Sequence, residues 1–300
     1  MSELSLTIDH LLKRGKTQLS SSDSAKLDCE ILLLKVLNDA LSKQPNNTTP
    51  KHYTKTWLLT WPEKIITREQ VQQFDHYLSL RSQGIPIAYI TGTKDFWSFT
   101  LDVTADTLIP RPETELLVEC ALEKIIVTKE YTILDLGTGS GAIALAIVSE
   151  RNNAKVLATD CSLKALNIAQ KNASRLKLNN ISFCQSHWFK SIPDQEFDII
   201  ISNPPYIAEH DPHLEVNVSR YEPLTALLSA DNGLADIREI IEHSQPYLKP
   251  GGWLLIEHGF QQGKAVQALF QTFKFCQIKT FADLNRLPRV TIAQRAADKF

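Results

Sequence analysis

From Thr132 onward the chain alternates between short apolar runs and longer amphipathic ones, and this alternation restricts the possible folds more than any other feature. Strand patterns occupy residues 132–136, 155–159, 181–185, 197–202 and 253–257. Helical patterns fall between them, over 142–150, 163–175, 234–247 and 264–270. Strands that alternate with helices of this length form βαβ units, hence a mostly parallel sheet of the α/β class. Two further strand patterns, 275–281 and 289–293, supply an antiparallel edge and bring the expected count to seven.

The preceding third has another character. Ile8, Leu11, Leu12 and Leu19 recur at helical spacing, and a second helix is expected from Ser24 through Leu37. Residues 38–53, rich in Gln, Asn, Thr and Pro, read as a loop. A third helix follows Thr67, with Val71, Phe74, Tyr77 and Leu78 on one face. Gly84-Ile85-Pro86 punctuates this bundle, and the β-branched and aromatic residues of 87–103 predict a hairpin. The expected organisation is therefore a helical domain over 1–85, a β-hairpin linker over 86–106 and an α/β domain over 107–300.

Composition narrows the function. With 43% hydrophobic residues in 300, the chain can build one large or two modest cores. Net charge is −2 overall, +2 over residues 1–85 and −4 over the remainder, so neither part is a polybasic nucleic-acid module. Cys29, Cys120, Cys161, Cys184 and Cys276 are scattered without paired or metal-ligand spacing, as in a reducing cytosol. Residues 1–12 lack the basic start and apolar core of a signal peptide, and no apolar run approaches the roughly 18–20 residues of a membrane span. A soluble, cytoplasmic chain with no metal is expected.

Two stretches carry chemistry. The first is Ile133-Leu134-Asp135-Leu136-Gly137-Thr138-Gly139-Ser140-Gly141, an apolar strand entering a glycine-rich turn that opens a helix. Glycines allow the tight turn and bring backbone N–H groups against a ligand. The G-x-G-x-G spacing is neither the dinucleotide fingerprint nor a P-loop. Asp135 puts a carboxylate where a pyrophosphate would otherwise sit, which suits a cationic amino group. Asp160, at the end of the next strand, suits ribose hydroxyls. A nucleoside bearing an amino-acid tail satisfies both acids, and S-adenosyl-L-methionine is such a molecule.

The second stretch is Phe197-Asp198-Ile199-Ile200-Ile201-Ser202-Asn203-Pro204-Pro205-Tyr206. Two prolines end the sheet ladder and stiffen the turn, so Asn203 is held beyond the carboxyl end of a buried strand, where open α/β sheets bind ligands. The Asn203 side-chain oxygen and the Pro204 carbonyl can each accept one N–H of a planar substrate amide, while Tyr206 packs on its face. Such a site acts by orientation and preorganised electrostatics.

With these residues the chain resembles the class I S-adenosylmethionine-dependent methyltransferases and, more narrowly, the PrmC/HemK family, which methylates the side-chain amide nitrogen (N5) of glutamine in peptide chain release factors. The likeness extends to Ile87–Gly92, Phe96-Trp97, Leu108-Ile109-Pro110-Arg111-Pro112-Glu113-Thr114-Glu115 and Ser219-Arg220-Tyr221-Glu222-Pro223. It implies a Rossmann-like fold and a cofactor site of Gly137, Thr138, Gly139, Ser140, Gly141, Asp160, Trp188 and Asn203. It also implies a substrate glutamine held against Asn203, Pro204, Pro205 and Tyr206, with Asn203, Pro204 and Tyr206 as catalytic groups. The helical domain would dock the release factor, and the enzyme would act as a monomer without nucleic acid or membrane. His187 stands where the family usually carries an acid. Arg111, Arg220 and Glu222 are expected to pair with one another or with the partner, while Glu113 and Glu115 lie in a helix first turn, where the helix dipole stabilises acids.

Asn-Pro-Pro-Tyr can hold any planar amino group, so an adenine-N6 DNA or rRNA methyltransferase is the alternative, and a non-catalytic module docking on a translation factor is another. Base flipping calls for a basic recognition domain, which residues 1–85 do not supply. An intact glycine turn beside Asn203 disfavours the silent module.

Overall fold

The computed structural model describes residues 6–42, 52–211 and 216–297. Residues 43–51, most of the expected 38–53 loop, and residues 1–5 lie outside the described residues. The chain divides into two compact units, Met1–Gly92 and Thr93–Phe300.

The first unit is helical: α1 (Ile8–Gln18), α2 (Ala25–Ser42), α3 (Lys55–Thr60), α4 (Arg68–Ser82) and α5 (Ile87–Thr91). Thr7 caps α1 by accepting from the His10 N–H, and Thr67 and Gln70 form a reciprocal capping box on α4. Ile8, Leu11, Leu32, Leu33, Phe74 and Leu78 are fully buried between the helices. Asp28 on α2, also buried, is paired with Arg81 of α4 at 2.8 Å. Residues 87–91, read as the start of the hairpin, instead form a one-turn helix. Pro86 leads into it with φ near −57°, and Gly92 ends it in the left-handed region, so local turn chemistry outweighs the β-branched composition.

The second unit starts with the hairpin β1 (Thr93–Phe96) and β2 (Phe99–Asp102), followed by α6 (Glu115–Lys124). Then come β3 (Tyr131–Leu136), α7 (Ala142–Glu150), β4 (Ala154–Asp160), α8 (Leu163–Leu176), β5 (Ile181–Gln185) and β6 (Phe197–Ser202). The short helices α9 (Val216–Tyr221) and α10 (Ala230–Gly233) precede α11 (Ala235–Ser244), β7 (Leu248–Glu257), α12 (Gly263–Thr272), β8 (Cys276–Ala282) and β9 (Pro288–Gln294). Seven strands form one sheet in the order β5-β4-β3-β6-β7-β9-β8. The pairs from β5 to β7 are parallel, and β9 joins β7 and β8 antiparallel. No helix among the described residues is long and apolar enough to cross a membrane.

The central strands are apolar because both faces are covered. Ile133, Ile199, Ile201 and Leu255 pack toward α6 and α7, while Leu134, Leu136, Ile200 and Ile256 pack toward α11 and α12. Asp198, the one charge within β6, sets register. It accepts from the Thr132 N–H (2.7 Å) and hydroxyl (2.9 Å) and pairs with Lys249 (2.8 Å), tying β6 to the chain entering β3 and β7.

Asn172 of α8 is 0% exposed. It accepts from the Asp102 N–H (2.8 Å) and donates to the carbonyls of Asp102 (3.0 Å) and Ser140 (2.9 Å), joining the hairpin to the glycine turn. Asn172→Ala strands three backbone groups, the Ser140 carbonyl buried and the Asp102 N–H and carbonyl partly so. It is expected to lower unfolding free energy by about 2–4 kcal/mol, read as a lower urea midpoint at unchanged slope.

Candidate active site

β3 and β6 are adjacent and parallel, with Leu136 opposite Ser202, so the turn after β3 and the turn after β6 leave the sheet side by side. Gly137, Gly139 and Gly141 all have positive φ. At Gly141 the requirement is also steric, since a Cβ would lie 3.0 Å from the Leu145 side chain and 3.2 Å from the Ala169 Cβ. Asp160 fastens this turn to the end of β4, accepting from the Gly139 N–H (2.9 Å) and, on its other oxygen, from the Ser162 N–H (2.8 Å). Burial raises the Asp160 carboxyl above its ordinary range, against the pull of these two donors.

Asp135 is 0% exposed. One of its oxygens accepts from the Thr138 hydroxyl at 2.7 Å; the other has no hydrogen-bonding partner. Desolvation pushes its carboxyl up to about 7, and the nearby Asp160 adds to that rise. A buried, half-satisfied carboxylate under a glycine turn fits a cationic ligand group. Thr138 and Ser140 are themselves buried within the turn.

Trp188 lies against the same turn: a Cβ on Gly137 would sit 3.5 Å from the indole ring. The indole N–H donates to Asp236 at 3.1 Å, which fixes the ring. His187 is half exposed, edge-on to Trp188 and 3.9 Å from Glu239. Thus the residues read from the sequence as cofactor contacts converge, through the carboxyl ends of β3, β4 and β6 and the loop after β5.

Beyond β6, Asn203 donates through its side-chain nitrogen to the Thr114 hydroxyl (3.2 Å), and the Tyr206 hydroxyl donates to Glu257 (3.4 Å). Asn203, Leu108, Arg111 and Tyr206 line a cavity of about 70 Å³. Tyr206 also lines an open cleft of about 1140 Å³, bordered by Asn232, Gly259, Gln262 and Arg289. Arg111 pairs with buried Glu222 at 2.5 Å, and Glu222 also accepts from the Ile109 N–H at 3.1 Å. The expected Arg111–Glu222 pair therefore forms, whereas Arg220 lies over the Tyr221 ring and Glu115 accepts from the Trp97 N–H.

Tyr206 is held by its backbone too. Gln262 donates to the carbonyls of Tyr206 (3.0 Å) and Asn232 (3.2 Å) and accepts from the Gly259 N–H (2.8 Å). Asp231, Asn232 and Gly233 are successively left-handed, and a Cβ at Gly233 would lie 2.1 Å from the Tyr206 carbonyl oxygen. Thr114, Asp236, Glu257 and Gln262 are thus part of the site without having been read from the sequence. The one visible signal was Glu257, an acid closing an apolar strand.

A model of the methyltransferase domain matches residues 127–288, and one of the PrmC N-terminal domain matches residues 10–92. Among curated proteins, the release factor glutamine methyltransferase of Aliivibrio fischeri is 44% identical over 298 residues, covering 98% of this chain and 100% of its own. That of Escherichia coli K12 is 45% identical over 285 residues, covering 95% and 98%. Among solved structures, a methyltransferase from Pyrococcus furiosus superposes with a TM-score of 0.50 at 17% identity, covering 65% of this chain and 89% of its own, a likeness of fold alone. Sequence matches of this extent, on a chain whose glycine turn and Asn-Pro-Pro-Tyr turn stand side by side, place it in the release factor glutamine methyltransferase family.

Proposed function

We propose that this chain transfers a methyl group from S-adenosyl-L-methionine to the side-chain amide nitrogen of the glutamine in the Gly-Gly-Gln motif of peptide chain release factors, as a cytoplasmic monomer. The observation that carries the reading is the adjacency of the Gly137–Gly141 turn and Asn203-Pro204-Pro205-Tyr206 at the ends of paired strands. Near full-length identity to proteins of that name supports the choice of acceptor. The helical unit, similar to the PrmC N-terminal domain, is read as the docking module for the release factor.

In this reading the cofactor supplies an electrophilic methyl group. Asp135 receives its amino group, Asp160 its ribose hydroxyls, and Trp188 closes one side of the pocket. An amide nitrogen is a poor nucleophile because its lone pair is delocalised into the carbonyl. Asn203, whose nitrogen is engaged by Thr114, has its oxygen available to accept one N–H of the acceptor amide. The Pro204 carbonyl accepts the other, and Tyr206, held through its hydroxyl and its carbonyl, packs on the amide plane and excludes water. These contacts orient the nitrogen lone pair; on methylation the nitrogen loses one hydrogen as a proton to solvent. Rate enhancement comes from alignment and fixed dipoles, with no strong general base.

A tritiated methyl-transfer assay offering release factor, DNA and rRNA should label release factor alone; label in either nucleic acid overturns the acceptor assignment. Asn203→Ala should lower kcat about 10²–10³-fold, the range for loss of one preorganised hydrogen-bonding group, with cofactor affinity nearly kept. Asn203→Asp, which retains an acceptor oxygen, should keep partial activity. Near-normal rates in both variants would reduce Asn203 to a strand terminus.

Cofactor affinity should also depend on pH. Below about 7 Asp135 carries a proton that it must release to pair with an ammonium group, so calorimetric affinity should rise as pH increases from about 5.5 to about 7. Asp135→Asn should bind about 1.5–3 kcal/mol more weakly and with a flat profile. Asp160→Ala should lose about 1–3 kcal/mol above about pH 7, since it removes both a charged acceptor and the tether of Gly139.

A further inference from the structure

Gln262 immediately precedes α12, and its side chain meets three separate stretches of chain. The carboxamide oxygen accepts from the Gly259 N–H at 2.8 Å, while the nitrogen donates to the Tyr206 carbonyl at 3.0 Å and the Asn232 carbonyl at 3.2 Å. A carbonyl only accepts and a backbone N–H only donates, so this network admits one orientation of the amide. The fold leaves it little room. A Cβ on Gly233 would lie 2.7 Å from the Gln262 nitrogen, and one on Gly259 would lie 3.0 Å from its oxygen. Beneath it, the Gly259 carbonyl accepts from the Gln262 N–H and from Nδ1 of buried His258, each at 2.9 Å, and His258 Nε2 meets the Thr291 hydroxyl at 2.8 Å.

The two carbonyls that Gln262 joins belong to different halves of the site. Tyr206 ends the Asn-Pro-Pro-Tyr turn and is read as packing on the acceptor amide. Asn232 lies in the left-handed run before α11, and four residues further on Asp236 accepts from the Trp188 indole at 3.1 Å. That indole lies against Gly137 of the glycine turn. The segment between them is itself held: the Asp236 N–H donates to the Ser229 hydroxyl at 3.1 Å, and the Ser229 N–H donates to the Ile207 carbonyl at 2.9 Å. One carboxamide therefore spans the turn on the acceptor side and the segment that fixes the indole on the cofactor side.

We propose that Gln262 is a positioning residue for methyl transfer: by joining the Tyr206 carbonyl to the Asn232 carbonyl, it sets the spacing between the acceptor amide and the methyl donor. This rests on the reading of Tyr206 as an acceptor contact and Trp188 as a cofactor contact. Each half keeps its own ligand contacts when the span is cut, so affinity survives and alignment is lost. In-line transfer is steep in alignment, a misplacement of about 1 Å costing about 10²-fold in rate.

The test uses full-length protein and intact release factor. Gln262→Met, which keeps an unbranched side chain and removes both amide groups, should lower the single-turnover rate at saturating cofactor and acceptor about 10–100-fold. Kd for cofactor and for release factor, each measured alone, should stay within about threefold. Gln262→Glu, which still accepts from Gly259 but sets a carboxylate against two carbonyls, should lose at least as much. Asp236→Ala frees the indole at the other end of the span and should slow transfer too, whereas Asp236→Asn, which keeps an acceptor oxygen, should stay near the wild-type rate. The double variant Gln262→Met with Asp236→Ala should lose less than the product of the two single losses, since both cut the same span. In protein carrying 3-fluorotyrosine, without cofactor or acceptor, the Tyr206 ¹⁹F resonance should be single in the wild type and broaden or split in Gln262→Met. A full transfer rate in Gln262→Met, a loss confined to either Kd, multiplied losses in the double variant, or an unchanged Tyr206 resonance overturns the proposal. A wild type that labels no release factor overturns the function proposed above, and the ¹⁹F comparison then decides by itself whether Gln262 holds Tyr206.

Discussion

The parallel pairing of β3 with β6 is the constraint on which the rest of the structure depends. The sheet order reverses there: β4 and β5 extend to one side of β3, while β6 and β7 extend to the other. Connections leaving two such strands run in opposite directions and open a crevice between them. Into one side of that crevice the chain turns on glycines, and into the other on prolines. Flexible backbone lets the first wrap a ligand, and rigid backbone lets the second hold a side chain still. Asp198, fastened to Thr132 and Lys249 at the opposite end of these strands, keeps the pairing from slipping. A slip of one residue would turn Asn203 to the wrong face of the sheet.

The crevice is furnished with acids that the fold has largely stripped of water. Asp135 and Glu257 each retain an oxygen without a partner, at the ends of strands otherwise made of leucine and isoleucine. Burying such groups half-satisfied opposes folding. Their shifted acidities are the mark of that opposition, and the same shifts make them responsive to bound charge and to pH near neutrality. Asp160, with both oxygens engaged by backbone N–H groups, is a structural tie between β4 and the glycine turn.

Much of this was legible before any coordinates. Four of the five parallel strands, β3, β4, β6 and β7, announced themselves as apolar runs because both their faces are covered, while β5 at the sheet edge has no buried residue; Gly137–Gly141 and Asn203–Tyr206 could be found because glycine and proline act on their own backbone. What escaped depends on side chains meeting from distant parts of the chain. Thr114 looked like one more residue of a helix start, and nothing local says that its hydroxyl meets the Asn203 side chain. Gln262, Asp236 and the left-handed run Asp231–Gly233 escaped for the same reason. Residues 87–91 were misread because their β-branched composition outweighed the signals of Pro86 and Gly92 in the reading, while the fold obeys those two residues. At His187 the expected acid is absent, and the ring lies half exposed beside Glu239.

The position of β9 has a consequence for how such a chain comes to life on the ribosome. The last strand described, β9 does not extend the sheet at its rim but inserts between β7 and β8, with Val290 opposite Glu257. Without it, β7 would have an unpaired edge on the side where Val290 now faces Glu257. Synthesis delivers the glycine turn and the Asn-Pro-Pro-Tyr turn far earlier than the strand that dries this acid. A nascent chain can thus assemble the crevice while lacking the low-dielectric wall behind Tyr206. Vectorial synthesis leaves the completion of this wall to the insertion of the last strand described.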